Sequence, residues 1–343
     1  MTKKYSYMLR IFALILVAVL SGCGKGCGKQ GAGAEALSLI PASSNAVIGL
    51  NWKKLQSSPL GEKIKKDIPK EYAPLLQEIE AITIGIKTQG MGEKDPDPLI
   101  VISGKLDQAK IIASFENEAK KHGDNVTKTD YQGVTIYSGT QKPEVAVAFV
   151  SEKGLAGRPD LIKQAIDLSK GKGESIEKNK EVMELISNID RSKMLWAVAT
   201  IPPGMVPSDA AEPGNPMAML SALKAMDLAI DYADNLTIDL GVVASSAEDA
   251  KQIETMANSY KTLFGGSMAQ KDPTLGKVLN ALTIQASDKR VKVSLKLDKT
   301  TVDEITQKNK GATLPTEPGL DAATPEPAPS EASPPAETQP AQP

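Results

Sequence analysis

Residues 126–137 read VTKTDYQGVTIY. Two runs rich in valine, threonine and tyrosine flank Gln132-Gly133, a pattern typical of a β-hairpin with a two-residue turn. A second hairpin is predicted for 282–286 and 291–297, on either side of the polar residues SDKR. Adjacent hairpins that are separated from helical segments favour antiparallel pairing. The sequence therefore predicts an α+β protein with a mainly antiparallel sheet.

The predicted elements recur in two cycles along the chain. The first begins at the apolar run 46–52 and the second at 194–199, and each continues through helices and strands to a strand pair. GKLDQAK at 104–110 and SSAEDAK at 245–251 both place an acid and then Ala-Lys at a predicted helix start. We interpret the two cycles as a diverged duplication, with helices packed on one face of each sheet.

The segments that flank these cycles differ from them in composition. Residues 23–36 are rich in glycine, and 311–343 contain nine prolines and five acidic residues but no basic residue. Such segments bury too little apolar surface to offset the entropy of ordering, so both are predicted to be disordered tethers. The acidic tail is either a spacer or a strand offered to cell-wall polymer or a partner. The folded modules are then 37–192 and 193–310.

The overall composition narrows the function classes. The 343 residues carry a net charge of about −2, which argues against nucleic-acid binding because that needs a basic surface. His122 is the single histidine, so a site with several histidine ligands is excluded. It is predicted to end a helix over 108–121, where a cation suits the helix dipole. We predict no catalytic residue, no metal and no cofactor.

The N-terminus has the pattern of an export signal. Lys3, Lys4 and Arg10 precede the apolar residues 11–20, which are too few to span a bilayer as a helix. Leu20-Ser21-Gly22-Cys23 follows directly. This sequence resembles the lipobox of bacterial lipoproteins at all four positions. The resemblance implies that residues 1–22 are a signal peptide and that the Cys23 sulfur and amine are acylated.

The resemblance also implies a location in the cell envelope, held to the membrane by lipid. Gly24 stands where an aspartate commonly retains such proteins at the inner membrane, which favours the outer membrane in a cell with two membranes. Cys27 is the second cysteine. It is either a free thiol, a second acylation site or an intermolecular disulfide partner.

One apolar segment is a candidate binding surface. A long helix is predicted over 217–232, preceded by a loop rich in proline and glycine, and long loops are often functional. Methionine adapts to irregular apolar shapes. The candidate ligand or partner surface consists of Met205, Met217, Met219, Leu223 and Met226.

The folded part resembles uncharacterised α+β envelope lipoproteins of delta-proteobacterial type. LIPASSNAVIGL at 39–50, Ser58-Pro59-Leu60 and Asp190-Arg191-Ser192 carry the resemblance, which implies no activity. We expect a non-enzymatic envelope protein that binds or scaffolds an envelope protein or cell-wall partner. The alternatives are a carrier of an apolar ligand, in a cavity lined by the methionine-rich helix, and a hydrolase.

Overall fold

The computed structural model describes residues 34–68, 72–87, 97–141, 145–202 and 221–309. Within these ranges twelve strands form one antiparallel sheet in the order β11-β12-β10-β9-β8-β1-β2-β3-β7-β6-β5-β4. The predicted α+β class and antiparallel sheet are confirmed. The strands are β1 (Ala46–Asn51), β2 (Ile79–Lys87), β3 (Asp97–Gly104), β4 (Val126–Tyr131), β5 (Val134–Gly139), β6 (Ala146–Val150), β7 (Lys153–Gly157), β8 (Leu195–Thr200), β9 (Leu223–Tyr232), β10 (Asn235–Ala244), β11 (Leu282–Ser287) and β12 (Arg290–Asp298).

Helices of very different length connect these strands. A 3-10 helix over Ala34–Leu39 opens the described chain, and a second covers Ile176–Lys178. The α-helices are α1 (Trp52–Gln56), α2 (Pro59–Asp67), α3 (Ala73–Gln77), α4 (Gln108–Lys121), α5 (Pro159–Ser169), α6 (Lys180–Asn188), α7 (Ala247–Lys271), α8 (Pro273–Ala281) and α9 (Lys299–Asn309).

The two halves of the chain repeat one strand order. β1 pairs with β8 at the centre, and outward from there β1-β2-β3-β7-β6 matches β8-β9-β10-β12-β11. In each half the last hairpin is followed by a helix, β6–β7–α5 and β11–β12–α9. The β4–β5 hairpin is an addition at one edge. The two related modules thus share a single sheet.

The residue alignment proposed for the two helix starts is wrong, although α4 and α7 occupy equivalent places. Asp107 caps α4 by accepting a hydrogen bond from the Lys110 amide (3.1 Å). Ser246 caps α7 in the same way from the Asp249 amide (3.0 Å), and Asp249 accepts from the Ser246 hydroxyl. Aligned by their caps, the helices are offset by two residues from the Ala-Lys match.

The two predicted hairpins are confirmed. Tyr131 pairs with Val134, and the two turn residues have positive φ, 53° at Gln132 and 78° at Gly133. This is the backbone that a two-residue turn needs in order to match the twist of the strands. In the second hairpin Ser287 pairs with Arg290, and Asp288 takes the positive φ of 49°.

The sheet has a front face and a back face. The front face carries Val47, Leu99 and Trp196, which pack in one core with the 3-10 helix, α5 and α6. The back face carries Leu50, Ile82 and Leu195 in a second core with α1 and α2. Further along the back face, a smaller cluster joins α7 to β10, β11 and β12. Helices therefore contact both faces of the sheet, and the prediction that they pack on one face is wrong. The reason is that the central strands carry apolar side chains at consecutive positions, which point to opposite sides.

The N-terminal boundary of the fold lies slightly earlier than the sequence indicates. Residues 34–36 belong to the predicted glycine-rich tether, yet the first 3-10 helix begins at Ala34, and Ala36 is fully buried in the front core. Its neighbour Ile40 contacts Gly85 of β2. Residues 1–33 and 310–343, including most of both predicted tethers, lie outside the described chain.

Candidate functional site

The structure divides the predicted binding surface. Cys23, Cys27, Met205, Met217 and Met219 lie outside the described residues. Leu223 and Met226 lie on β9.

The predicted helix over 217–232 is wrong for 223–232, which form β9. The segment KAMDLAID alternates with period two, so Met226, Leu228 and Ile230 share the back face while Asp227 and Asp231 share the front. Alanine and methionine favour helices, and this composition hid the alternation.

The back face of the second half carries an incompletely covered apolar strip, formed by Met226, Leu228, Ile238, Leu240, Val293 and Leu295. It lies between the core under α1 and α2 and the cluster under α7. Met226 is 39 % exposed, and the other five are half-buried. Two of the predicted site residues, Leu223 and Met226, thus lie on the strand that forms one side of this apolar strip.

The front face of the second half is polar where the first half is apolar. Asp227 is 5 % exposed, and its Oδ2 accepts a hydrogen bond from Arg290 Nη2 of β12. The two side chains cross β10 above Gly241, whose missing Cβ leaves the space that they occupy. Burial raises the pKa of Asp227, against the opposing effect of the Arg290 guanidinium.

A second ion pair lies beside the first. Asp239 Oδ1 lies 3.3 Å from Lys292 Nζ and accepts a hydrogen bond from the Ser294 hydroxyl at 2.6 Å. Although partial burial opposes ionisation, the hydrogen bonds from Ser294 and Lys292 lower the pKa of Asp239. We call Asp227, Arg290, Asp239 and Lys292 the ion-pair strip. Within this strip, the pKa values of the neighbouring carboxylates of Asp227 and Asp239 are shifted in opposite directions.

A further cluster of aspartate and lysine side chains lies at the end of β9. Asp231 Oδ2 is 3.5 Å from Lys54 Nζ of α1 and 3.8 Å from Lys193 Nζ. Lys193 also lies 3.8 Å from Asp190 and helps to lower the pKa of Asp239. Lys193 therefore links this cluster electrostatically to the ion-pair strip, and the charges balance locally.

Sequence reasoning missed the ion-pair strip as a site. Its four members come from three strands, and the register that joins Asp227 to Gly241 follows only from the β9–β10 pairing. The signal that was available is the alternation Asp227, Ala229, Asp231 on one face. A strand with acids on one side and large apolar residues on the other is amphipathic with period two.

The described surface also has two depressions. One, of about 620 Å³, runs along the outer side of α7 past Lys251, Glu254 and Leu263, and Leu263 is 71 % exposed. The other, of about 250 Å³, lies between Pro41 and Asp167. Both open broadly to solvent.

His122 caps the end of α4, as predicted, with Nε2 3.5 Å from Glu118 Oε1. Among the residues that the structure describes, no group of three or more His, Cys, Asp and Glu side chains is placed to hold a metal ion. Within the same ranges, no helix combines the length and the apolar character needed to cross a bilayer.

The sequence matches a known family over just over half of its length. The match covers residues 86–262, and the family is described as a protein of unknown function, DUF3352. The chain belongs to the DUF3352 family. The matched segment runs from the end of β2 into α7, so it includes Asp227 and Asp239 but not Arg290 and Lys292.

Individual proteins are similar at lower identity. An uncharacterized protein of Methanocaldococcus jannaschii, MJ0635, is 24% identical over 204 residues, which cover 57% of this DUF3352 chain and 70% of that protein. Crystal form III of TP0453 superposes with a TM-score of 0.48 at 11% identity, over 79% of this chain and 97% of TP0453. Crystal form I gives a TM-score of 0.47 at 8% identity, over 79% and 96%.

Proposed function

We propose that the chain is a lipid-anchored protein of the cell envelope that binds or organises other envelope components and catalyses no reaction. The observation that carries this proposal is the ion-pair strip. Each of its carboxylates is neutralised by a cation of β12, and Lys292 is exposed beside it. A rigid, mixed-charge sheet face suits a polar protein surface, because complementary charges give specificity and fix register.

The proposed anchor is Cys23, and the proposed location is the outer membrane in a cell with two membranes. The LSGC motif at 20–23 supports the anchor, and Gly24, in place of an aspartate, supports the location. We expect Cys23→Ala to move the protein from the membrane fraction to the soluble fraction of lysed cells. Cys27→Ala is the matched control and should stay with the membranes. Retention of the Cys23→Ala protein, or release of only the Cys27→Ala protein, would contradict an anchor at Cys23.

The proposed partner surface can be tested by photo-crosslinking in living cells. A photoreactive residue at Gln285 lies exposed on the front face of β11, next to Lys292 of β12. The control position is Glu152, exposed in the turn between β6 and β7. We expect a discrete protein adduct from position 285, weakened by Lys292→Glu, and none from position 152. Equal adducts from both positions, or none from 285, would count against a partner on this face.

The carrier of an apolar ligand is the second candidate, and the apolar strip on the back face favours it. Met226 and Leu240 present side chains that an acyl chain would cover. Native mass spectrometry of the purified protein should then find an added lipid-sized mass, and Met226→Glu should remove it. Lys224→Glu, an exposed change on the same strand, is the control. An apo mass in the unmodified protein would eliminate the carrier.

A further inference from the structure

The two edge strands of the sheet differ in the contacts that their outward backbone groups make. At β11 the outward backbone groups belong to Leu282, Ile284 and Ala286, since Ser287 forms the hydrogen-bonded pair that closes the hairpin. A side chain of α7 contacts one outward backbone group of each residue: Lys261 donates to the Leu282 carbonyl, Asn258 donates to the Ile284 carbonyl (3.4 Å) and Glu254 accepts from the Ala286 amide. These side chains obstruct the addition of a further strand at this edge.

At the opposite edge, β4, the described part of the chain provides no such cover. Tyr131 closes its hairpin with Val134, so the outward backbone groups are those of Val126, Lys128 and Asp130. Within the described ranges, no donor or acceptor contacts these groups. The side chains of residues 127–130 are all exposed. An exposed strand edge of this kind is a template for strand addition.

We propose that β4 pairs antiparallel with β4 of a second copy of this chain, with Thr129 on the two-fold axis. The proposal concerns self-association and stands apart from the partner surface on the front face. In this register the outward-facing Lys128 and Asp130 of one copy lie opposite Asp130 and Lys128 of the other. Opposite charges across a strand pair stabilise it, and Thr129 meets its own copy as a threonine pair.

Charge selects this register over its neighbours. The outward backbone groups of one copy must meet the outward backbone groups of the other. Any arrangement with the two-fold axis on a residue satisfies this condition, so the alternative registers place the axis on a different residue of β4. An axis at Lys128 sets lysine against lysine, and an axis at Asp130 sets aspartate against aspartate, which destabilises both arrangements. A lone lysine on an edge strand normally discourages pairing. The aspartate two residues further on makes the edge self-complementary.

The Lys128 ammonium is positioned for this role on its own copy. Its Nζ lies 3.5 Å from Glu116 Oε1 and 5.3 Å from the centre of the Tyr137 ring. Both contacts hold the chain over the back face of the β4–β5 hairpin, the same side on which Asp130 of the second copy would lie. Asp130 Oδ1 accepts from the Gly133 amide (3.2 Å), which keeps its second oxygen available.

The first test is sedimentation velocity of the purified full-length protein at micromolar concentration. We expect a dimer. Lys128→Glu should raise its dissociation constant by about tenfold or more, because two attractive pairs become repulsive. The double change Lys128→Glu with Asp130→Lys should restore the dimer. A monomeric unmodified protein, or a double variant as weak as the single one, would overturn the proposal.

A cysteine test fixes the register without depending on charge. In a Cys27→Ser background, Thr129→Cys should form an intermolecular disulfide on mild oxidation, because directly opposed residues have Cα atoms about 4.5 Å apart. Thr127→Cys is the matched control, exposed on the same face, and in this register its own copy lies roughly 13 Å further along the strand. Crosslinking through position 127 but not 129 would overturn the register.

Discussion

The two halves of the sheet share one strand order, but helices cover the front face in the first half and leave it more polar and exposed in the second. In the first half the 3-10 helix, α5 and α6 cover that face, and Leu155 of β7 has no exposed surface. In the second half the same face carries Asp227, Asp239 and the exposed Lys292. Equivalent strands thus lie under an apolar layer in one half and under ion pairs in the other.

The difference traces to the helix that follows the last hairpin of each half. α5 reads PDLIKQAIDLS and buries Ile162, Ala165 and Ile166 on the front face. α9, at the same place in the repeat, reads KTTVDEITQKN and has few apolar residues. Topology is therefore set by the alternation of hairpins and helices, whereas the choice of core face depends on which helix carries an apolar side.

Truncation of a leucine side chain in each of two equivalent strands should give the largest difference in stability between the halves. Leu155→Ala in β7 empties a fully buried site, and we expect the free energy of unfolding to fall by about 3–4 kcal/mol. Leu295→Ala in β12 removes a half-buried side chain from the apolar strip and should cost about 1–1.5 kcal/mol. Urea unfolding of both variants measures the two losses. Leu155 faces the front and Leu295 the back, so this pair compares the covered front face of the first half with the incompletely covered back face of the second. Equal losses would mean that the apolar strip is packed as tightly as the front core.

Glycine-to-alanine substitutions on the front face should also destabilise the first half more than the second, with a smaller difference in the free energy of unfolding. A Cβ on Gly49 would overlap the rigid, fully buried indole of Trp196, so Gly49→Ala should cost about 2–3 kcal/mol. A Cβ on Gly241 meets the ends of Arg290 and Asp227 instead, and Arg290 is partly exposed and can move. We expect Gly241→Ala to cost about 1 kcal/mol in thermal unfolding. A larger loss at 241 than at 49 would reverse the comparison.

The sequence sufficed for the fold class and for most of the elements in the first half. The hairpin at Gln132-Gly133 and the cap at Asp107 are local signals, decided by residues within four positions of each other. The strand β9 was missed because Met226, Ala225 and Ala229 favour helices, while its strand state depends on pairing with β8 and β10.

The candidate site was beyond the reach of local signals. Arg290 reaches Asp227 from 63 residues away and crosses an intervening strand at Gly241. Only the register of three strands brings these groups together. The proposed pairing of β4 likewise depends on the place of β4 at the edge of the sheet, which only the strand order shows. The lipid anchor at Cys23 remains a prediction from the motif.

Two buried aspartates should give the two halves opposite pH dependence. In the first half, the Thr140 hydroxyl and the amides of Gln141, Asn125 and Thr140 hold the pKa of Asp124 at about 2. Since its unfolded value is 3.8, the ionised carboxylate stabilises the fold above pH 3.8, and this contribution is lost as the pH falls towards 2. In the second half, burial raises the pKa of Asp227, so its contribution becomes more favourable as the pH falls to 3.8.

The measurement is urea unfolding of the unmodified protein, Asp124→Asn and Asp227→Asn between pH 6 and 3. The stability advantage of the unmodified protein over Asp124→Asn should shrink on acidification below pH 4, because asparagine cannot titrate. The free energy of unfolding of the unmodified protein relative to that of Asp227→Asn should instead rise as the pH falls towards 3.8. Parallel slopes for the two variants would mean that desolvation does not dominate at Asp227. The Arg290 pair would then behave as an exposed one, and this part of the front face would not differ electrostatically from a solvated surface.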